Sequence, residues 1–591
     1  MKYLLCGINA KYIHTNLAIH SLKAYAQKHR TEASADARIE ICEYTINHHM
    51  DQLLQALFQA RPDVLVFSCY IWNISMVREL AGEMKKILPA LKIWVGGPEV
   101  SYDGAAFLAA NPKVDLVMQG EGEVLFSRLL TLWEREGESG DLTGLAGLVY
   151  RRGDQIVDQG MAPSVDLNQL PFVYEDFDRF KNKILYYETS RGCPFCCSYC
   201  LSSVGQKVRF RDPGLVEKEL EAFLKAGVPQ VKFVDRTFNS NKKHALFIWS
   251  YILEHDNGVT NFHFEIGGDL LDEDYFALFE KMRPGLIQLE IGVQSTNPPT
   301  LTAIRRQMDL GRLFNHVDRI HSMRNIHQHL DLIAGLPYEG LEEFRKSFDD
   351  LYAHHPDQLQ LGFLKVLKGT FMEKMAEEYG IFYRDAAPYE VLCTRWMTYG
   401  DLLQCKGVEE LTEDYYNSGQ FTCTLRYAVP AFPGPFVFFK AFSSYYRHKG
   451  YHLRSHSRLE KYEIIRDFLS ESGVDLPWLD QMLIMDLYLR EKSKARPAWA
   501  GSPERYRSLF KKMYREQGRF FFPKLVSDGT YDSKKMAAKS HMELFRFDVK
   551  GFLDTGIIRE GRFCCLFDYQ DRDPLTYNAR FVCRELDQME I

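Results

Sequence analysis

The chain has 591 residues, room for about four domains at ~150 residues each. Acidic residues outnumber basic ones, 79 to 73, and the formal charge of −6 excludes a uniformly basic nucleic-acid coat. Hydrophobic residues at 46% and charged residues at 26% exclude a disordered chain. The richest apolar run, Ala428 to Phe439, is broken by Pro430, Pro433 and Pro435, so no membrane span is predicted. The amino-terminal segment lacks the apolar core and cleavage site of a signal peptide, and a cytoplasmic location is expected.

Residues 1–135 alternate short apolar runs with helical patterns. Strands are predicted at Tyr3–Ile8, Ile39–Tyr44, Val64–Cys69, Lys92–Val95 and Leu116–Met118, with helices at Asn16–Lys28, Met50–Ala60 and Val77–Leu88. This order predicts a doubly wound, Rossmann-like parallel sheet, whose ligands bind beyond the carboxyl ends of the strands. Turn signals sit at those ends: Cys6–Ala10, Ser68–Asn73, Gly96–Ser101 and Gln119–Glu123.

Residues 136–182 are expected to form a linker with a small hairpin of its own, Leu148–Arg151 and Gln155–Asp158. A second alternating series fills residues 183–380. Its strands are predicted at Ile184–Thr189, Gln230–Val234, Phe262–Ile266, Ile287–Val293, His329–Ala334 and Gln360–Val366. Six strands fall short of the eight of a closed TIM barrel, so a partial (β/α)6 barrel is predicted. From residue 381 the alternation stops. A mainly helical α+β domain is expected, with helices Leu459–Glu471, Asp480–Glu491 and Pro503–Glu516, then strands Phe520–Val526, Met542–Asp548 and Arg562–Tyr569.

Nine of the thirteen cysteines are scattered, and Cys564–Cys565 is expected to be a pair of buried thiols. The other four crowd into Arg191-Gly-Cys-Pro-Phe-Cys-Cys-Ser-Tyr-Cys200, directly after the first strand of the second series. In a reducing compartment such crowding indicates metal or cluster ligation. Cys193, Cys197 and Cys200, in CxxxCxxC spacing, can ligate three irons of a [4Fe–4S] cluster and leave the fourth open. Structural zinc generally takes two cysteine pairs, and no second pair is present. Cys196 is out of register and is expected to be a bystander or packing residue.

This loop, with Tyr199 before its last cysteine, resembles that of the radical S-adenosylmethionine superfamily. Val234-Asp-Arg-Thr-Phe-Asn239, Gly292-Val-Gln-Ser295 and Asp331-Leu-Ile-Ala-Gly-Leu-Pro337 are also similar to its motifs. The resemblance implies that the open iron chelates the methionine amino and carboxylate groups, and that electron transfer yields a 5′-deoxyadenosyl radical. It further implies that Tyr199, Glu265, Gln294, Arg306 and Asp331 surround S-adenosylmethionine, with carboxylates on ribose hydroxyls and Arg306 on the methionine carboxylate. The Gly-Gly-Glu motif common after the second strand is replaced by Asp235-Arg236-Thr237.

The first domain is similar to the cobalamin-binding domains fused to many such enzymes. Val95-Gly-Gly-Pro-Glu-Val-Ser101, Gln119-Gly-Glu-Gly-Glu123 and Ser68-Cys-Tyr-Ile-Trp-Asn73 carry the likeness. The implied contacts are Ser68, Asn73, Gly96, Gly97, Pro98, Glu99, Gly120 and Glu121. The Asp-x-His-x-x-Gly motif that supplies an axial histidine is absent, so His14 and His20 are expected to be surface or structural residues. The implied cobalt has neither histidine nor dimethylbenzimidazole bound, with a residue near Tyr70–Asn73 at its lower face.

The carboxyl-terminal region resembles an uncharacterised domain that accompanies these enzymes. Between Arg490 and Lys539 stand 14 basic and 5 acidic residues, and Arg447, Lys449, Arg454 and Arg458 lie among Tyr445, Tyr446 and Tyr451 upstream. Such a surface either binds RNA or is a solvated face. The resemblance implies a methyltransferase acting on an unactivated carbon, with a flavodoxin- or ferredoxin-type reductant and an unidentified substrate. The alternatives are non-methylating cobalamin chemistry (rearrangement, cyclisation or redox), RNA modification, and a cobalamin- or redox-sensing role.

Overall fold

The computed structural model describes residues 1–205, 207–522 and 526–586. It divides into two compact units: Met1–Ile326 with Ile333–Gly340 and Gly362–Thr398, and His327–Leu332 with Leu341–Leu361 and Tyr399–Ile591.

In the first unit, β1 (Lys2–Asn9), β2 (Arg38–Thr45), β3 (Val64–Ser68), β4 (Lys92–Gly96) and β5 (Leu116–Met118) make a parallel sheet in the order β2-β1-β3-β4-β5. Both faces are apolar. Tyr3 and Leu5 point to one side with Val66 and Trp94, and Leu4, Cys6 and Ile8 to the other with Phe67 and Val95. The period of two buries alternate residues against different helices. Helices α1 (Leu17–Lys28) and α5 (Gly122–Glu136) cover the first face, and α2 (Met50–Ala60), α3 (Ile74–Ile87) and α4 (Gly104–Ala110) cover the second.

The hairpin β6 (Leu148–Arg152) and β7 (Gln155–Asp158) forms no sheet of its own. It extends the first sheet, antiparallel to β5, with Leu116 opposite Tyr150 and Met118 opposite Leu148. The cause is physical: β5 would otherwise be an open edge, and Leu148, Val149 and Tyr150 need burial.

After β8 (Leu185–Tyr187), the short ladder β9 (Ser190–Arg191) with β10 (Arg209–Phe210) brackets the cysteine loop. Strands β11 (Gln230–Phe233), β12 (Asn261–Ile266) and β13 (Ile287–Gln294) continue the parallel order β8-β11-β12-β13. Helices α6 (Pro213–Lys225), α7 (Lys242–Glu254), α8 (Glu273–Phe279), α9 (Pro298–Ala303) and α10 (Leu310–Met323) alternate with them. Helix α6 starts where the residue types demand. Asp212 accepts from the Gly214 and Leu215 amides at 2.9 and 3.3 Å, and Pro213 takes the first helical position. Strand β14 (His327–Ala334), helix α11 (Leu341–Ala353) and strand β15 (Gln358–Phe363) complete the series at the six strands expected.

The second unit carries helices Tyr399–Leu411, Thr422–Ala428, Pro435–His448, Arg458–Glu471 and Leu476–Arg490, and a three-stranded antiparallel sheet, Ser540–Phe547, Glu560–Arg572 and Ala579–Glu585. The expected strand Phe520–Val526 is not one: Gly518–Phe521 is helical, and residues 523–525 lie outside the described residues. Adjacent Phe521 and Phe522 are both buried with Met513 and Tyr514, whereas a strand would send them to opposite faces. Cys565 is likewise not a free thiol. It forms a disulfide with Cys583, its register partner on the neighbouring strand, while Cys564 points the other way and stays free and buried. No described helix is long and apolar enough to cross a membrane.

Candidate functional site

The cysteine loop is fastened at its root. The buried Asp235 carboxylate, just past β11, accepts from the Thr189 amide at 3.0 Å, the Thr189 hydroxyl at 2.7 Å and the Ser190 hydroxyl at 2.6 Å. Burial pushes its pKa up to about 6, against the pull of those donors. Two residues on, the Thr237 hydroxyl lies 3.6 Å from the Cys193 sulfur. Thus Asp235 and Thr237, where a Gly-Gly-Glu motif was missing, anchor the loop and contact its first thiol.

Cys193 and Cys197 are buried, Cys200 is half-buried and Cys196 is exposed. The Ser203 hydroxyl donates to the Cys197 and Cys200 carbonyls at 3.0 and 2.6 Å, and the Ser198 amide donates to the Ile304 carbonyl at 2.9 Å. Arg306 reaches in from the segment after β13. One guanidinium nitrogen lies 3.6 Å from the Cys197 sulfur and 3.4 Å from the Tyr199 hydroxyl, and the other donates to the Gly292 carbonyl. Burial raises the Cys197 thiol pKa and the Arg306 charge opposes it. Among the described residues no three His, Cys, Asp or Glu side chains converge on a single ion. A [4Fe–4S] cluster distributes its thiolates over different irons, so convergence on one point is not its requirement. The three thiols on one loop, with the Arg306 guanidinium donating to one sulfur and the Thr237 hydroxyl beside another, fit such a cluster.

Glu265, the penultimate residue of β12, lies 3.7 Å from the Arg236 guanidinium. Burial raises its pKa, and Arg236 pulls it down. Gln294 ends β13 in the left-handed region, at φ 74°, beside Arg306 across Gly292. Asp331 stands on β14, half-buried, and belongs to the second unit. The structure therefore brings Tyr199, Arg306 and Gln294 together near the cysteines, with Glu265 beside Arg236.

A cavity of about 1120 Å³ opens within the first unit. Its wall takes Ser68, Gly96, Gly97, Pro98, Gly120 and Glu121 from the first sheet, and Tyr186, Glu188, Arg191, Lys232, Arg236 and Glu265 from the second. Gly97 is required there: at φ 112°, an added Cβ would lie 2.6 Å from the Cys69 carbonyl oxygen. The volume exceeds the usual ~300–1,000 Å³ of a ligand pocket, and glycine backbone forms part of the wall. Both features fit a corrinoid.

Two expected contacts do not reach this wall. Asn73 is fully buried. Its amide donates to the Ile8 and Ser68 carbonyls at 3.0 and 2.9 Å and accepts from the Tyr70 amide at 2.8 Å, closing the loop after β3. Glu99 is buried too, accepting from the Tyr389 hydroxyl with Lys368 at 3.8 Å. The loop geometry spends both polar groups behind the wall. In their place stand Tyr70 and Trp72, rings stacked 4.3 Å apart, and Arg191, Lys232 and Arg236. The aromatic pair was visible in the Ser68–Asn73 motif; Arg191 and Arg236 stand in the cysteine-loop and Val234–Asn239 motifs, but nothing in those motifs assigned them to this wall. His14 lines the cavity with its Nδ1 2.6 Å from the Tyr186 hydroxyl, and His20 pairs with Glu43 at 2.7 Å.

In the second unit, the basic and aromatic residues around Arg447 are largely engaged with each other and with acids. Lys449 pairs with Glu471 at 2.9 Å, Arg454 with Glu460 and Arg458 with Glu491. Tyr446 is buried against Tyr451 and His456. Lys511, Lys512 and Arg515 are exposed on the helix Arg507–Glu516.

Three families match in order along the chain: the B12 binding domain over residues 3–130, the Radical SAM superfamily over 187–351, and a protein of unknown function, DUF4080, over 377–567. The cobalamin-dependent radical SAM methyltransferase TokK of Streptomyces tokunonensis is 28% identical over 350 residues, 54% of this chain and 50% of its own length. The anaerobic magnesium-protoporphyrin IX monomethyl ester cyclase of a Synechocystis strain is 24% identical over 322 residues, 52% of this chain and 62% of its own length. The chain thus spans about half to three fifths of these curated relatives. The fold is shared with the cobalamin-dependent S-adenosylmethionine radical enzyme OxsB, solved with aqua-cobalamin and S-adenosylmethionine bound. That match has a TM-score of 0.57 at 15% identity, covering 82% of this chain and 79% of OxsB. The chain thus carries, in order, a B12 binding domain, a radical SAM core and DUF4080, the first two being the pair that names the cobalamin-dependent radical S-adenosylmethionine enzymes it resembles.

Proposed function

We propose that the chain is a cobalamin-dependent radical S-adenosylmethionine methyltransferase acting on an unactivated carbon. The observation that carries the reading is the single cavity bounded both by the glycine turns of the first sheet and by the strand ends next to the cysteine loop. In this reading Cys193, Cys197 and Cys200 hold the cluster, and Arg306 and Thr237 donate to the ligand sulfurs. Glu265, Gln294 and Tyr199 face S-adenosylmethionine, and Asp331 is kept as a contact on family resemblance. Ser68, Gly96, Gly97, Pro98, Gly120 and Glu121 cradle the corrinoid. When bound, the cluster supplies one electron for cleavage of S-adenosylmethionine, and cobalamin carries the methyl group. Ion pairs offset charge on one side of the wall: Arg236 with Glu265 at 3.7 Å and Lys232 with Glu290 at 2.9 Å. We place the protein in the cytoplasm with a flavodoxin- or ferredoxin-type reductant, because open iron and the thiolates of the cysteine loop need reducing surroundings, to which the Cys565–Cys583 disulfide is the exception.

The likeness to a cyclase supports one second reading, corrinoid-dependent cyclisation without methyl transfer. Product analysis separates the two. Anaerobic incubation with S-adenosylmethionine, hydroxocobalamin and dithionite is expected to yield both 5′-deoxyadenosine and S-adenosylhomocysteine. Only 5′-deoxyadenosine favours the cyclase reading, and neither product overturns both.

A further inference from the structure

One ion-pair hub in the first unit joins the two cofactor sites. Arg191 stands two residues before Cys193, and its guanidinium spans three carboxylates. Glu121 lies at 3.2 Å, Glu123 at 2.8 Å and Glu188 at 2.9 Å, all with side chains less than a quarter exposed. Glu121 and Glu123 flank Gly122, the first residue of α5, directly after the Gly120 turn in the cavity wall. Arg209, on the strand paired with β9, holds Glu121 as well, and the Ser21 hydroxyl donates to Glu123 at 3.0 Å. All four members of the hub line the cavity.

The link from Arg191 to the thiol is short. Only Gly192 stands between them, at φ 103° and so close to the Lys207 carbonyl oxygen that an added Cβ would lie 2.5 Å from it. A shift of Arg191 therefore moves the first cluster ligand. Buried charges of this kind are strongly interdependent, because removing one partner leaves another uncompensated in low dielectric.

We propose that Arg191 is a positioning residue that couples the corrinoid and cluster sites. Filling the cavity expels water from around the hub and strengthens its pairs, which fixes Gly192 and Cys193. A loop already fixed by its cluster, in turn, presents Glu121 and Glu123 in their bound places. Such coupling is reciprocal, so it is read as a ratio of affinities. The proposal rests on the cofactor assignment given under Proposed function.

The test is the affinity for hydroxocobalamin, measured by quenching of tryptophan fluorescence, on the full chain without and with its reconstituted cluster. The cluster-loaded wild type is expected to bind about fivefold tighter or more, the lower range of allosteric coupling. In Arg191→Lys the ratio falls to about one. Should that variant fail to take up a cluster, Glu123→Gln on the corrinoid side carries the same expectation. Lys85→Ala, which breaks the pair with Asp115 away from the hub, keeps the wild-type ratio. A purely structural role for Arg191 would weaken binding equally in both states and leave the ratio intact, which overturns the proposal, as does a wild-type ratio of one. Wild-type protein that binds no hydroxocobalamin in either state overturns the cofactor assignment itself, a separate result.

Discussion

Buried charge is arranged differently in the two units. In the first, Glu121 and Glu123 at the start of α5, Glu188 and Arg191 beside the cysteine loop and Glu265 on β12 share the wall of one cavity, with the exposed Arg236 guanidinium 3.7 Å from Glu265. In the second, buried charges close on their own scaffold. Asp486 accepts from the Cys423 amide at 2.8 Å and from the Thr424 amide and hydroxyl at 2.8 and 2.7 Å, satisfying the first turn of the helix Thr422–Ala428. Glu543 is taken by Arg496, with His541 at 3.4 Å. Both arrangements are satisfied, so burial alone does not mark a site. Convergence of charge on a shared empty space does.

Four outcomes would break or sharpen this contrast. The largest is complete loss. Replacing Cys193, Cys197 or Cys200 by Ala is expected to remove the cluster, measured as bound iron and by the cluster's electron paramagnetic resonance. Exposed Cys196→Ala keeps it. If Cys196→Ala alone loses iron, the ligand register is wrong.

Next come the two buried aspartates, one from each unit. Burial raises Asp235 from 3.8 to about 6 and Asp486 from 3.8 to about 7. A carboxyl whose folded pKa is raised binds its proton more tightly in the folded state. Its stabilising contribution is therefore present below about pH 4 and is lost as pH rises through 6 or 7, by at most ~1.4 kcal/mol per unit per group. Chemical denaturation between pH 4 and 7 should show a shallower loss in Asp235→Asn and Asp486→Asn alike. Only Asp235→Asn, which weakens the fastening of Thr189 and Ser190, is expected to lose cluster content too. Equal cluster loss in Asp486→Asn would erase the distinction drawn between site and scaffold.

A smaller effect concerns cobalt. Both nearby histidines already have protein partners, Tyr186 for His14 and Glu43 for His20. Bound cob(II)alamin is expected to show no nitrogen hyperfine splitting, and His14→Ala to leave that spectrum unchanged. A nitrogen triplet lost in His14→Ala would make His14 a ligand. The smallest expected effect is none. Substituting Lys511, Lys512 and Arg515 by Ala should not alter binding to total tRNA, with Tyr446 buried upstream and Lys449, Arg454 and Arg458 held by acids. Tight binding whose logarithmic salt slope falls by roughly two units on substitution would instead establish a phosphate-tracking surface.

Chemistry carried by neighbours in sequence was legible from the sequence. The three cluster thiols fall within eight residues, and the strand–helix alternation of residues 1–135 follows from helices covering both faces of a parallel sheet. What was illegible depends on direction or on distant pairing. Ser68 and Asn73 share one motif, yet one lines the cavity and the other is buried behind it, a difference set by how the loop folds back on β1. Cys583 meets Cys565 only through strand register. Arg191 precedes the cysteines in every reading of the sequence, but its carboxylate partners at 121 and 123 are about seventy residues away.

The hairpin β6–β7 has a consequence for taking the protein apart. A cut at residue 135, where the alternating pattern pauses, would strip β5 of its antiparallel neighbour. Such a fragment would present a bare hydrogen-bonding edge to other copies. The remaining piece would begin with two strands that have no sheet to join. Ala162 reaches back further still, its amide donating to the Gln119 carbonyl at 3.1 Å. The severable boundary of the amino-terminal module therefore lies beyond residue 162, well past the point where its strand–helix rhythm ends.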